Sequence, residues 1–253
     1  MHIRLAVAAL LLGAAQTASG QSVAEHIALG DKESGALNPA GALAHYQEAI
    51  ALDSTNADAL WKAARDAIDL GEFAGTNRTR DSLYRLAEQY AARSVQANPR
   101  LAVTHFTLAK ALGRAALSKG GREKVSYAGR VREEALAALA IDSLDDGALH
   151  VMGVWNAEIM RLNGLLRFFA KNLLGGRVFG EANWDNAKRY LERAVALRPE
   201  RIVHHLDLGE VYEDTGDTAR AREQYALALK LPATEYNDKH YQQQAEERAR
   251  GLR

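Results

Sequence analysis

Apolar residues recur at three- and four-residue spacing along most of this chain. In the segment 202–232, IVHHLDLGEVYEDTGDTARAREQYALALKLP, one such run leads up to Gly216-Asp217 and a second run follows it. This spacing places the apolar side chains on one face of a helix, and a Gly-Asp pair is typical of a tight turn. The segment therefore predicts two antiparallel helices, with Asp217 or Thr218 capping the start of the second.

Small and large residues alternate in this segment in a fixed frame. Small residues lie where two helices must approach closely, and large residues fill the space between them. Counted from Ile202 as position 1, positions 7, 8, 11, 20, 24 and 27 are Leu208, Gly209, Tyr212, Ala221, Tyr225 and Ala228. This is the frame of the tetratricopeptide (TPR) repeat, a helix pair of about 34 residues.

Looser copies of the same frame precede the segment, and a polar helix follows it. We therefore predict an all-α fold: a TPR-type right-handed α-solenoid of about five helix pairs with a C-terminal capping helix, which hides the last apolar face. The predicted domain spans 21–253. Its repeats cover about 23–56, 57–99, 102–143, 146–199 and 200–232, and the cap covers 236–252.

Two repeats are longer than the frame requires. The second has about 11 extra residues, which we place in the turn before a second helix that starts near Asp81. The fourth has a longer excess after Asn156. We expect its first helix to continue to about Leu174 and to end at Gly175-Gly176.

The first twenty residues have the order of a secretory signal peptide. Arg4 precedes an apolar run, and Ala18-Ser19-Gly20 place small residues before a cut at Gln21. The run is too short to span a membrane, so we predict a signal peptide over 1–20. The expected location is periplasmic or secreted, with membrane association left open. The alternative is an uncleaved N-terminal anchor.

Composition and motifs argue against catalysis and against several ligand classes. The chain has no cysteine, and its 32 basic residues match 32 acidic residues, so a global field for nucleic acid is absent. The eight histidines form no HExxH motif, and adjacent His204 and His205 lie on different helix faces. Neither GxSxG nor GxGxxG occurs. We expect no catalytic residues, no metal and no cofactor; an enzyme is the weakest hypothesis.

Several segments together resemble a known family. They are ADALWKAARDAIDLG, EQYAARSVQANP, ALHVMGVWNAEI, the insert LLRFFAKNLLGG, and the run from ANWDNAKRYLERAVALRPE to the end of the cap. Across about 57–252 they resemble the regulator of microtubule dynamics family. The resemblance implies a non-enzymatic binding protein associated with organelle membranes or the cytoskeleton, with lipid handling suggested for its TPR-like domain. The secretory signal departs from a cytosolic tubulin role, so microtubule binding is not carried over.

The first candidate site is the concave groove lined by the first helix of each repeat. Positions 5 and 9 point inward in this geometry. They are Trp61, Arg65, Phe106, Lys110, His150, Val154, Leu206 and Glu210. The wall is apolar with a basic middle, which suits a hydrophobic peptide, an amphipathic helix or an acyl chain with an anionic head. The alternative is that the aromatic side chains pack against neighbouring helices.

The second candidate site is the insert 161–180, where basic and apolar residues alternate. Its expected membrane or lipid contacts are Arg161, Leu165, Arg167, Phe168, Phe169 and Lys171. A basic amphipathic helix can lie on an anionic membrane. Such a helix more often packs onto adjacent repeats and closes one end of the groove.

Two functional hypotheses follow. The first is a secreted or periplasmic scaffold that binds a protein or peptide segment in its concave groove. The second is a lipid-binding protein that holds phospholipid with the same groove and the 161–180 insert. The pattern gives no oligomeric state.

Overall fold

A computed structural model describes residues 21–162 and 178–252, which form eleven α-helices and two short 3-10 turns, with no strand among them. The helices are α1 (Val23–Gly35), α2 (Pro39–Leu52), α3 (Ala57–Glu72), α4 (Asn77–Ala97), α5 (Ala102–Ala115), α6 (Gly121–Ile141), α7 (Asp146–Arg161), α8 (Trp184–Leu197), α9 (Ile202–Asp214), α10 (Thr218–Lys230) and α11 (Asp238–Gly251). The 3-10 turns are Ala116–Ser118 and Val178–Glu181. None of these helices is long and apolar enough to cross a membrane.

The helices pack as consecutive pairs. The pairs are α1 with α2, α3 with α4, α5 with α6, α7 with α8, and α9 with α10. Each second helix also packs on the first helix of the next pair, and α11 covers the last pair. This confirms the predicted α-solenoid of five helix pairs with a capping helix.

The first helices form the inner layer of the stack. Within the described residues, α1, α3, α5, α7 and α9 contact one another in order, more than the second helices contact each other. Closer approach on one side curves the stack toward that side, so the first helices line its concave face. This is the face on which the sequence predicts a ligand.

Glycine at position 8 lets a tyrosine at position 24 pack against the helix backbone. A Cβ placed on Gly209 would lie 2.5 Å from Cε1 of Tyr225, and one on Gly30 would lie 2.4 Å from Cε1 of Tyr46. Both tyrosine side chains are fully buried. The repeat frame predicted from the sequence therefore reflects helix packing, because the absent side chain of the glycine leaves space for the tyrosine ring.

Asp217 caps α10 as predicted, and Asn38 caps α2 in the same way. Asp217 accepts a hydrogen bond from the backbone N of Arg220 at 3.1 Å, and Gly216 has a positive φ of 79°. Asn38 accepts from the backbone N of Gly41 at 3.2 Å, immediately before Pro39 at the first helical position. Side-chain caps of this kind satisfy backbone donors that have no partner inside the helix.

The prediction for the second repeat is wrong at the start of α4. This helix begins at Asn77, not near Asp81, because the Thr76 hydroxyl caps it by accepting from the backbone N of Thr79 at 3.1 Å. The extra residues therefore lengthen α4 rather than the turn.

The prediction of a double-length first helix in the fourth repeat is also wrong. Helix α7 ends at Arg161, and Leu162 leaves the helix with φ −59° and ψ 135°. Ion pairs from Arg161 to Glu210 and Asp214 tie this end to α9. The predicted end at Gly175-Gly176 lies outside the described residues.

The buried apolar side chains form two groups that meet in α7. Met152 and Trp155 belong to the group that extends back to the first pair, whereas Ala157 belongs to the group that extends forward to the cap. Phe73, at the end of α3, packs against the second group although it comes from the second pair. The second pair and the C-terminal end of the curved stack thus meet across its concave face.

Candidate functional site on the concave face

One face of α3 runs along the concave side of the molecule. It is outlined by residues three or four apart, namely Asp58, Trp61, Lys62, Arg65, Asp69 and Glu72. None of them is among the buried apolar side chains of the core. At 1.5 Å per residue, Trp61 and Glu72 lie about 16 Å apart along the helix. This face therefore extends over two different parts of the concave surface.

At the Trp61 end, an aromatic ring is held in place by its own helix. The indole N–H of Trp61 donates to Asp58 at 2.9 Å. The guanidinium of Arg65 lies 5.5 Å from the ring centroid and the ammonium of Lys62 lies 5.6 Å from it. Cations at this distance are attracted to the negative face of the ring. The ring, partly exposed, is thus fixed beside two positive charges.

The two cations at this end are themselves anchored, to α1 and to Asp66 of their own helix. Arg65 donates to the Ser34 hydroxyl and to Asp66, each at 2.8 Å, and Lys62 pairs with Asp31 at 2.8 Å. Burial raises the pKa of Asp66 to about 6, although the adjacent guanidinium opposes the rise. The Trp61 patch, which we define as Trp61, Lys62 and Arg65, is therefore preorganised.

Further along, the side chains of Phe106 and Lys110 of α5 contact neighbouring helices. The Phe106 ring packs so closely on Gly147 that a Cβ at that glycine would lie 2.5 Å from the ring. Lys110 donates to Asp69 of α3 at 3.2 Å. Phe106 thus follows the alternative interpretation, in which an inward aromatic residue packs against the next helix.

In the second half of the concave face, histidines and aspartates form a continuous chain between α7 and α9. His204 Nε2 lies 2.8 Å from Asp146, His204 Nδ1 lies 2.9 Å from His150 Nδ1, and His150 Nε2 lies 2.9 Å from Asp207. Arg201 donates to Asp146 at 3.0 Å at one end of the chain. We call the four residues Asp146, His204, His150 and Asp207 the His–Asp chain.

Burial and hydrogen bonds shift the pKa values of three members of the His–Asp chain. Despite burial, hydrogen bonds from His204 and Arg201 hold the pKa of Asp146 well below its usual range, so the carboxylate accepts from His204 Nε2–H. Burial lowers the pKa of His204 to about 4, which leaves its Nδ1 free to accept from His150. Despite burial, the hydrogen bond from His150 holds the pKa of Asp207 below its usual range.

The remaining predicted groove residues of this half are also engaged. Leu206 is only 2% exposed, and Val154 packs against the second core group. Glu210 pairs with Arg161 at 3.2 Å and with Arg248 of α11 at 3.1 Å. Burial and the charge of Asp207 raise the pKa of Glu210.

Helix α11 reaches across this half to the far end of α3. The Tyr241 hydroxyl donates to Glu72 at 2.8 Å, and Asn237 Nδ2 donates to the backbone O of Asp69 at 3.2 Å. The ring of His240 stacks on Phe73 with a centroid distance of 4.1 Å. The cap therefore does more than hide the last apolar face, because it also closes one half of the concave surface.

A shallow polar cavity remains beside α11. Its volume is about 360 Å³, and Glu210, Gln244, Glu247 and Arg248 line it. Its lining is charged, unlike the apolar wall that an acyl chain requires.

The described part of the second candidate site packs on the solenoid. Arg161 pairs with Glu158 at 2.6 Å as well as with α9, which leaves its charge satisfied within the protein. Phe179 is 5% exposed and stacks on Trp155 with a centroid distance of 5.9 Å. The other predicted lipid contacts, Leu165, Arg167, Phe168, Phe169 and Lys171, lie outside the described residues.

Sequence reasoning missed the His–Asp chain. It weighed His204 only against its neighbour His205, which takes no part in the chain and bonds instead to Gln224 and the backbone O of Pro199, each at 2.8 Å. A usable signal was present, because Asp146 and His150 are four apart on one first helix and His204 and Asp207 are three apart on the next.

The helix pairs, the glycine–tyrosine packing and the curved inner layer define a TPR-like scaffold protein. Among solved structures, a thermophilic TPR protein of Thermus thermophilus superposes with a TM-score of 0.65 at 19% identity, covering 89% of this chain and 100% of that one. PilF of Pseudomonas aeruginosa superposes with a TM-score of 0.53 at 14% identity, covering 91% and 86%. These likenesses support the fold.

The sequence model of the family "Regulator of microtubule dynamics protein 1-3" matches residues 25–253, so this chain belongs to that family. Regulator of microtubule dynamics protein 1 of Bos taurus is 25% identical over 202 residues, which are 79% of this chain and 63% of that protein. The Mus musculus protein of the same name is 23% identical over 202 residues, or 79% and 66%. This chain thus spans about two thirds of the length of its curated relatives.

Proposed function

We propose that this chain is a non-enzymatic scaffold that binds a protein segment on its concave face, at the Trp61 patch. The observation that carries the proposal is the contrast along α3. The aromatic ring of Trp61 is partly exposed and fixed beside two cations, whereas the other end of the same helix is covered by α11.

The chemistry of the patch indicates the kind of segment. Tryptophan and arginine are the residues that most often dominate protein-binding energy. Because both side chains are already held by Asp58, Ser34 and Asp66, little conformational entropy remains to be lost on binding. A segment that offers an apolar side chain to the ring and a carboxylate to Lys62 or Arg65 fits this surface.

The proposal is tested by selecting ligands from a displayed library of short peptides on the chain 21–253. Enriched peptides are then measured against Trp61→Ala and against Leu227→Ala. Leu227 is 38% exposed on α10 and serves as the matched surface control. We expect at least roughly tenfold weaker binding for Trp61→Ala, the loss of about 1.4 kcal/mol, and no change for the control. Equal affinities for both variants contradict the proposal.

The lipid hypothesis gives a separable result. Mass spectrometry of lipid extracts from the purified chain detects phospholipid if the groove or the 161–180 insert holds it. The packing of Arg161 and Phe179 onto the solenoid supports the protein-binding function instead.

We also propose that the scaffold acts after export, on the basis of the signal-like residues 1–20. N-terminal sequencing of the protein recovered from the periplasm or medium tests this, with Gln21 as the expected first residue. A product that retains Met1 and stays with the membrane fraction supports an uncleaved anchor instead.

A further inference from the structure

Helix α11 presents one side to the concave face at regular spacing. Tyr241 and Ala245 are buried, and Arg248 follows three residues later on the same side. Ala249 and Leu252 add partial apolar contact with the second core group. The spacing of four, then three residues is that of a helix lying in a groove.

The surface beneath α11 is acidic where α11 offers donors. Glu72 of α3 accepts from the Tyr241 hydroxyl at 2.8 Å, while Glu210 and Glu213 of α9 pair with Arg248 at 3.1 and 3.7 Å. Burial and the nearby Glu72 raise the pKa of Tyr241 well above its usual value, so the phenol keeps the proton that it donates. The groove thus recognises a hydroxyl-bearing aromatic residue and an arginine seven residues apart.

Two buried polar groups near the start of α11 weaken its attachment to the rest of the chain. Asn237 Oδ1 is buried without a hydrogen-bond partner among the described residues, and burial raises the pKa of Asp238. Both features reduce the net stability of the docked helix, because a buried polar atom without a partner loses its bonds to water. The outward side of α11 is polar, including Lys239, Gln243 and Glu246. A terminal helix of this kind opens at lower free energy than the core.

We propose that the surface beneath α11 is a second docking groove and that α11 is its resident occupant. The partner is a helix that presents a tyrosine and an arginine seven residues apart, and it replaces α11 over Glu72, Glu210 and Glu213. The charge complementarity of the three glutamates supports this partner. The groove is separate from the Trp61 patch and does not depend on binding there.

The probe is a fluorescein-labelled synthetic peptide of residues 236–252, measured by fluorescence anisotropy with the chain 21–253. In the variant Asn237→Ala/Tyr241→Phe, the resident helix loses its hydrogen bonds to α3. Its open fraction therefore rises, and we expect the peptide to bind roughly tenfold more tightly than to the unaltered chain. A peptide carrying Tyr241→Phe and Arg248→Ala is the matched control and binds at least roughly tenfold more weakly.

A covalent cross-link that holds α11 in its docked position, which we call the lock, provides the opposite test. The chain has no cysteine, so Phe73→Cys/His240→Cys can be joined selectively by a short bis-maleimide. The joined chain is expected to lose peptide binding, while the same variant before joining retains it. Binding that survives the lock, or no binding to the weakened variant while circular dichroism shows it folded, overturns the proposal.

Failure of this proposal is distinguishable from failure at the Trp61 patch. Trp61→Ala should leave binding of the 236–252 peptide unchanged, and the lock should leave binding of library peptides at Trp61 unchanged.

Discussion

The two halves of the concave face come from the same repeat positions and yet present different surfaces. Trp61 and Leu206 both occupy position 5 of their repeats; Trp61 is partly exposed, whereas Leu206 is 2% exposed. The repeat frame sets the direction of a side chain, and the neighbouring helices decide whether it reaches solvent. Helix α11 is the neighbour that distinguishes the two halves, since it packs on α9 and touches only the far end of α3.

The halves also differ in what their charges do. In the first half, Lys62 and Arg65 lie beside a partly exposed ring and are held there by Asp31 and Asp66. In the second, the His–Asp chain and Glu210 satisfy one another and join α7, α9 and α11. Under the proposed function, preorganised charge serves recognition in one half, whereas it joins helices in the other.

The largest expected effect comes from Glu72→Ala. Its carboxylate pairs with Arg114 and accepts from Tyr241, so removal leaves the guanidinium without its close partner and weakens the attachment of α11 to α3. We expect a loss of about 3 kcal/mol in the free energy of unfolding, measured in urea. Asp58→Ala, on the open end of the same helix face, should cost under about 1 kcal/mol. Equal losses would show that the two ends of α3 are equivalent.

Substitution of the glycine at position 8 should destabilise the chain by a similar amount in both halves. Gly209→Ala and Gly30→Ala each place a Cβ within 2.5 Å of a buried tyrosine ring. We expect losses of roughly 2 kcal/mol for each, because a packed ring must move. Urea unfolding of the two variants measures this, and a loss in only one half would mean that the two halves do not share this packing.

A loss of stability on acidification should arise from His204 in the second half, whereas Asp66 in the first half, whose pKa is raised, contributes in the opposite direction. The pKa of His204 is lowered from 6.5 to about 4 in the folded chain, so the unfolded chain binds its proton more readily. Stability is full above pH 6.5 and is lost as pH falls toward 4, by roughly 1–2 kcal/mol between about pH 7 and about pH 5. Thermal unfolding across this range measures the loss, and His204→Gln should reduce its slope. An unchanged slope in that variant excludes His204 as the source.

The smallest expected effect on stability is that of Trp61→Ala. Its ring lies on the surface of α3 and contacts charges that remain satisfied by Asp31, Ser34 and Asp66. We expect a change of about 0.5 kcal/mol in urea unfolding. A loss comparable with that of Glu72→Ala would instead assign Trp61 a structural role.

The sequence was sufficient for the fold because its signals are local. The spacing of Gly209 to Tyr225 lies within one helix pair, and Asp217 caps the helix that it precedes. The length of α7 was mispredicted because apolar residues continue beyond Arg161, although Asn163-Gly164 in the sequence favours a helix end. The extension of α4 had a signal in the hydroxyl of Thr76.

The contacts that close the second half of the concave face could not be predicted from local sequence patterns. Tyr241 meets Glu72 only because the curvature of five stacked pairs brings their helices together, and no local pattern encodes that curvature. The direction of His150 was predicted, but its partners His204 and Asp207 come from the next pair. Position within a repeat therefore identified candidate residues and left their exposure undetermined.

Thiol reactivity at two points on the concave side tests the central contrast most directly. In this cysteine-free chain, Trp61→Cys and Phe73→Cys each introduce a single thiol, one in α3 and one at its end. We predict that the thiol at position 61 reacts with maleimide at least roughly tenfold faster than the thiol at position 73, which lies beneath α11 and reacts only when that helix opens. Equal rates at the two positions would contradict the account.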